Sequence, residues 1–115
     1  MTAEPESLRE LRLALTLGDR IAVETVLDDA VVLVADRGRD SSPVRGRAAV
    51  GRALLAELGG LPGRVVLGAH DVNGETGIVA RADGRVVAVL LAELRNDGVA
   101  AVWLVTSPAK LSRWW

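Results

Sequence analysis

The chain has 115 residues, half of them apolar, and its 14 basic and 15 acidic side chains leave a formal charge of −1. That length holds one core rather than two, and the near cancellation of charge excludes a global field that would gather the protein onto nucleic acid or anionic lipid. Zero cysteines exclude disulfides and thiolate chemistry, and acids at Glu4 and Glu6 stand where a secretory leader would carry Lys or Arg, so a cytoplasmic location is expected.

Leu8, Leu11 and Leu15 recur at helical spacing after Pro5, with Gly18 at the end, which predicts an amphipathic helix of about three turns. Asp19 is placed to cap a second, short helix that buries Ile21, Val23 and Val26 and is broken by Asp28-Asp29. A Val-rich strand follows from Ala30 to Asp36, then a polar loop from Arg37 to Ser42. From Arg47 to Leu58 the apolar positions Val50, Leu54 and Leu58 recur every fourth residue, a third helix stopped by Gly59-Gly60.

After Leu61-Pro62-Gly63 the periodicity becomes that of strands: Arg64 to Val72, Ile78 to Arg81, Arg85 to Leu94 and Val99 to Thr106. Asn73-Gly74, Asp83-Gly84 and Asp97-Gly98 separate them, pairs that supply the positive φ of tight hairpin turns. The longest apolar-rich stretch, Val86 to Leu94, is strand-length and far short of the roughly 20 residues that span a bilayer, so no membrane partner is expected. Helices early and an antiparallel meander late predict an α+β layer architecture. No repeat or internal linker divides the chain, and residues 1–115 read as a single domain.

Four segments carry a resemblance: Pro43-Val44-Arg45-Gly46; Val72-Asn73-Gly74 with Gly77; Asp83-Gly84-Arg85-Val86-Val87-Ala88-Val89; and Ser107-Pro108-Ala109-Lys110-Leu111. Together, from about Leu8 to Leu111, they resemble the C-terminal SnoaL-like domain of extracytoplasmic-function sigma factors, within the nuclear-transport-factor-two-like superfamily. Members often carry Asn where this chain has Ser107, and the promoter-reading sigma regions do not precede the domain here; Met1 favours a freestanding paralogue over an excised domain. The resemblance implies a cone-shaped fold, three N-terminal helices packed on a curved, mostly antiparallel sheet around a pocket. It also implies dimerisation through the convex sheet face and modulation of a transcription module. Ketosteroid isomerases and polyketide cyclases share the fold, so the fold does not choose between binding and catalysis.

Isomerase chemistry needs a carboxylate base and a hydrogen-bond donor for the enolate. By the resemblance, the positions of the isomerases' Tyr and two Asp residues fall at Leu11, Val34 and Leu90, all apolar, which argues against a ketosteroid isomerase. Leu11, Val34, Leu90 and Trp103 are expected to border an apolar pocket. Asp36, on the strand face of Val34, is a candidate displaced base or a solvated turn former. His70 shares a face with Val66 and Val72 and reads as a wall residue or a ligand contact, without the further ligands a metal needs. Trp103 fits a ligand-stacking wall and a core filler equally. Trp114-Trp115 either fold back over an apolar edge or dock on a partner. Arg37, Arg39, Arg45, Arg47 and Arg52 read as a solvated face or an anion-binding patch.

Three functions compete. One is a non-enzymatic small-molecule-binding or regulatory domain, with a small apolar ligand or a transcription-machinery partner. Another is a small cyclase, isomerase or hydrolase using Asp36, His70 or Glu93. The third is a structural homodimer with a filled cone. No cofactor is expected, and no direct nucleic-acid contact, since the net charge is near zero and neither a recognition helix nor aromatic residues interleaved with bases stand out; a homodimer is expected because the strands from Arg85 and Val99 are apolar on both faces.

Overall fold

The computed structural model of the chain describes residues 4–36, 42–96 and 98–111. Helices α1 (Glu6–Leu17) and α2 (Arg20–Val26) lead into strands β1 (Leu27–Asp36) and β2 (Val44–Arg45), and helix α3 (Arg47–Gly59) follows. Strands β3 (Val65–Val72), β4 (Glu75–Ala82), β5 (Arg85–Arg95) and β6 (Gly98–Val105) come next, then one turn of helix, α4 (Pro108–Leu111). The strands form a six-stranded sheet in the order β2-β1-β6-β5-β4-β3. Its pairings are antiparallel except for β1 against β6, which is parallel. Among the described residues no helix is long and apolar enough to cross a membrane.

Local chemistry sets the joints. Gly18 adopts φ 66° and its N–H turns back to the carbonyls of Ala14 and Leu15, closing α1. Asp19 caps α2 by accepting the N–H of Ala22 at 3.2 Å. Val23 and Val26 are buried as expected, but Ile21 is 77% exposed; two residues before Val23, it lies about 200° around the helix from that buried stripe. Strand β1 begins at Leu27, not Ala30, because α2 runs directly into it and buried Leu27 continues the core. The carboxylate of Asp28 accepts the N–H of Ala30 at 3.2 Å and so stays within the strand instead of breaking the chain.

Asn73 and Gly74 both carry positive φ, 51° and 91°, so a two-residue turn starts β4 at Glu75, three residues before the expected Ile78. In the last hairpin Arg95 pairs with Gly98 and Asn96 carries φ 51°, so the turn falls one residue earlier than Asp97-Gly98. Asp97 itself lies outside the described residues, as do most of the Arg37 to Ser42 loop and Trp114-Trp115.

One sheet face packs on the helices. Val31 and Leu33 of β1, with Val102 and Leu104 of β6, meet Leu8, Leu11 and Leu15 of α1 and Val50 and Leu54 of α3 in one apolar cluster. Full burial of each such Leu or Val stabilises the fold by about 1.5–3 kcal/mol. The opposite face carries a second, smaller cluster, in which Leu111 of α4 packs with Val79, Val89, Val105 and Val72. The Ser107 carbonyl accepts the N–H groups of Lys110 and Leu111 at 3.1 and 3.0 Å, and the Lys110 ammonium pairs with the Asp36 carboxylate. The Ser-Pro-x-Lys-Leu ending therefore fastens α4 to the sheet, covering part of the outer face from within the chain.

At the other end of the chain, Arg12 grips Glu4 through two bonds of 2.8 and 2.9 Å. The hydrogen bonds from Arg12, ahead of its charge, hold the Glu4 carboxyl below its ordinary value of 4.5. A lowered folded-state value means that the stabilisation is complete above the unfolded value and is lost as pH falls through the folded one. In urea titrations the stability difference between the native protein and Glu4→Gln is therefore expected to be about 1 kcal/mol at neutral pH, shrinking toward zero below 4.5. A difference constant down through that range would show that the pair does not stabilise the fold through charge.

Candidate functional site

Between the C-terminal turns of α1 and α3 and the start of β3 lies an open cleft of about 220 Å³. Leu15 and Thr16 line it from α1, Leu55, Leu58 and Gly59 from α3, and Val65 and Leu67 from β3. Leu58 and Leu67 also border a narrow crevice that continues among Ile78, Ala80, Ala88, Leu90 and Leu104 and has no room for a water molecule. The crevice is therefore dry and the cleft is the accessible space of this pair.

Its chemistry is simple. None of the lining residues of cleft or crevice is titratable. Thr16 carries the polar side chain of the cleft, and its hydroxyl donates to the Arg12 carbonyl at 2.8 Å, leaving its lone pairs able to accept. Among the described residues no buried side-chain nitrogen or oxygen lacks a partner, and no three His, Cys, Asp or Glu residues come together as metal ligands would.

The expected pocket residues separate onto two sides of the sheet. Leu11 and Leu90 are buried in the helix-side core. Val34 and Trp103 are register partners on adjacent strands, and Trp103 also pairs with Leu91. Leu33, Leu90 and Leu104, their immediate neighbours along the strands, face the helices. Alternation then turns Val34 and Trp103 to the opposite face, where Trp103 is 43% exposed. Leu11, Val34, Leu90 and Trp103 thus do not border one space, and the offset that separates them is a single residue.

Asp36 follows Val34 on that outer face, engaged with Lys110, and its backbone carbonyl accepts the N–H of Thr106 at 3.0 Å. His70 is exposed on edge strand β3, in register with Gly77. Glu93 is exposed on β5 beside Arg95, 3.7 Å away. None of these three lines the cleft or the crevice. Of the arginine run, Arg47 clamps the α2–β1 joint, donating to the Leu27 carbonyl at 3.1 Å and pairing with Asp29 at 2.6 Å. Arg45 and Arg52 are exposed, while Arg37 and Arg39 lie outside the described residues.

Sequence reasoning missed Thr16, Leu55, Gly59 and Leu67 as a set. The available signals were the two helix stops at Gly18 and Gly59-Gly60, which mark the helix ends without revealing that the ends converge.

The sequence matches no family model and no curated protein, whereas solved structures match over nearly the whole chain. A protein from Catenulispora acidiphila with a ketosteroid isomerase-like fold, in complex with trimethylamine, superposes with TM-score 0.65 at 15% identity, covering 97% of this chain and 93% of that one. An NTF2-like protein of unknown function from Cytophaga hutchinsonii gives 0.61 at 13% identity, with 97% and 99% coverage. The extracytoplasmic function sigma factor SigJ of Mycobacterium tuberculosis gives 0.66 at 24% identity over 93% of this chain, which spans 43% of the sigma factor. The chain has the NTF2-like, ketosteroid isomerase-like α+β fold. Within that fold it is similar to a part of a sigma factor.

Proposed function

We propose that this protein is a non-enzymatic domain that binds a small apolar molecule and works as a regulatory module of the kind attached to sigma factors. The observation that carries this reading is the open cleft whose lining side chains, Thr16 apart, are apolar and hold no acid or base. Proton transfer beside a carbonyl needs such a group within hydrogen-bond reach, and Asp36, His70 and Glu93 belong to other surfaces. The likeness to SigJ supports a transcription-machinery partner, and the neighbour that holds trimethylamine supports a fold adapted to small organic molecules. In this reading the sheet wraps as a cone around the crevice, the domain works in the cytoplasm, and it pairs as a homodimer through the outer face around Trp103, Leu91 and Val34.

The absence of room for water in the crevice favours a second reading, a structural dimer with a filled interior. Titration with toluene, followed by amide NMR shifts, separates the two. Saturable shifts at Thr16, Gly59 and Leu67, with no isomerisation of an enone substrate, are the expected result. Flat shifts with a stable dimer by light scattering would leave the structural reading, and turnover lost in Asp36→Asn would replace both with an enzyme.

A further inference from the structure

The two helices that end at the cleft, α1 of 12 residues and α3 of 13, both lack a basic residue in the last turn. Each helix C-terminus carries roughly half a negative charge, which Lys or Arg in that turn ordinarily offsets. Here the two ends converge, through Leu15 and Thr16 on one side and Leu58 and Gly59 on the other, on a space whose lining side chains, Thr16 apart, carry no polar group. The carbonyls of Ala14, Leu15, Ala56 and Leu58 already accept backbone N–H groups, so the ends act on a ligand through their dipoles rather than through those oxygens. The Thr16 hydroxyl, already donating to Arg12, offers only acceptor capacity.

From this convergence we infer that the cleft is built for a short alkyl ammonium, its chain against Leu58 and Leu67 and its N–H groups toward the Thr16 hydroxyl, between the dipoles of the paired helix ends; the inference rests on the binding reading above and specifies its ligand. Size agrees. A closed cavity of about 150 Å³ holds a benzene ring, so a cleft of about 220 Å³ takes one ring or a short chain and excludes a fused four-ring skeleton. Charge agrees as well. The open side of the cleft lets an ammonium keep part of its hydration while the helix ends supply partial negative charge, whereas a carboxylate there would face repulsion from both ends.

The test is a matched series, hexylamine, hexanol and hexanoate at neutral pH and low salt, followed by amide shifts of Thr16, Gly59 and Leu67. Hexylamine is expected to bind about tenfold more tightly than hexanoate, with hexanol between them. Leu17→Lys places a cation in the last turn of α1 at a position already 79% exposed, and should cut that ratio to about threefold. Gly59→Leu adds a side chain where a Cβ meets nothing within 4 Å, and should abolish binding of all three without unfolding the protein. Hexanoate binding as tightly as hexylamine, or a ratio unmoved by Leu17→Lys, would overturn the inference while leaving an apolar binding site. Failure of the whole series together with toluene would remove the binding reading itself.

Discussion

Truncation of Leu104 to alanine is expected to lower the free energy of unfolding by about 3–5 kcal/mol, a large part of the roughly 5–15 kcal/mol available to a domain. Leu104 is fully buried on β6, among the residues that join the sheet to the helices. It also borders the dry crevice, so the deleted atoms leave a void that merges with existing space. Such voids cost in proportion to their volume, on top of the lost burial of the methyl groups. Leu17→Ala is the matched control: at 79% exposure it should change stability by less than about 0.5 kcal/mol. Urea unfolding measures both. A loss below about 1 kcal/mol for Leu104→Ala would mean that the core relaxes around the site rather than being packed against it.

Gly77→Ala is the second large effect, expected to cost about 2 kcal/mol. An added Cβ would sit 2.9 Å from Leu91 Cδ2, 3.0 Å from the Leu90 carbonyl oxygen and 3.3 Å from Val72 Cγ2. The first contact is with a side chain, which can yield, and the second is with backbone, which yields little. Gly77 is absent from the residues with positive φ, so it answers a need for space and not for conformation. With backbone strain removed from consideration, a Gly-to-Ala change would ordinarily gain about 0.4–1 kcal/mol through the unfolded chain. The sign of the effect is therefore diagnostic. Adding Leu91→Ala should recover part of the loss, giving a favourable coupling of about 1 kcal/mol in a double-mutant cycle. A neutral or stabilising Gly77→Ala would show that β4 and β5 move apart freely at this point.

Much of the fold was legible because its signals are local. Gly18, Asp19, Asn73-Gly74 and Asp83-Gly84 act through their own φ angles and side-chain caps, within a few residues of where they stand. The three helices and the late meander follow from those stops and from the apolar periods between them. Strand β2 was not legible, since Val44 and Arg45 are a strand only through their pairing with Leu33 and Val32. Helix α4 likewise depends on what lies beneath it: Leu111 has a reason to be helical because Val79, Val89 and Val105 supply the surface it covers.

The candidate site marks the boundary between the two kinds of information. Alternation in β1 and β6 determines from sequence that Leu33 and Val34, or Trp103 and Leu104, face opposite ways, but with apolar residues on both sides it does not determine which faces the helices. Packing decided that, turning Leu33 and Leu104 inward and leaving Val34 and Trp103 outside. The cleft is decided at the same level. Thr16, Gly59 and Leu67 come from three elements separated by 43 and 8 positions in the numbering, and no local preference of any of them encodes the others' positions. The sequence determined where the helices stop and which residues are apolar. Only the burial of one sheet face against α1 and α3 brought the two helix ends together over β3, because that face could leave water only by drawing both helices across it.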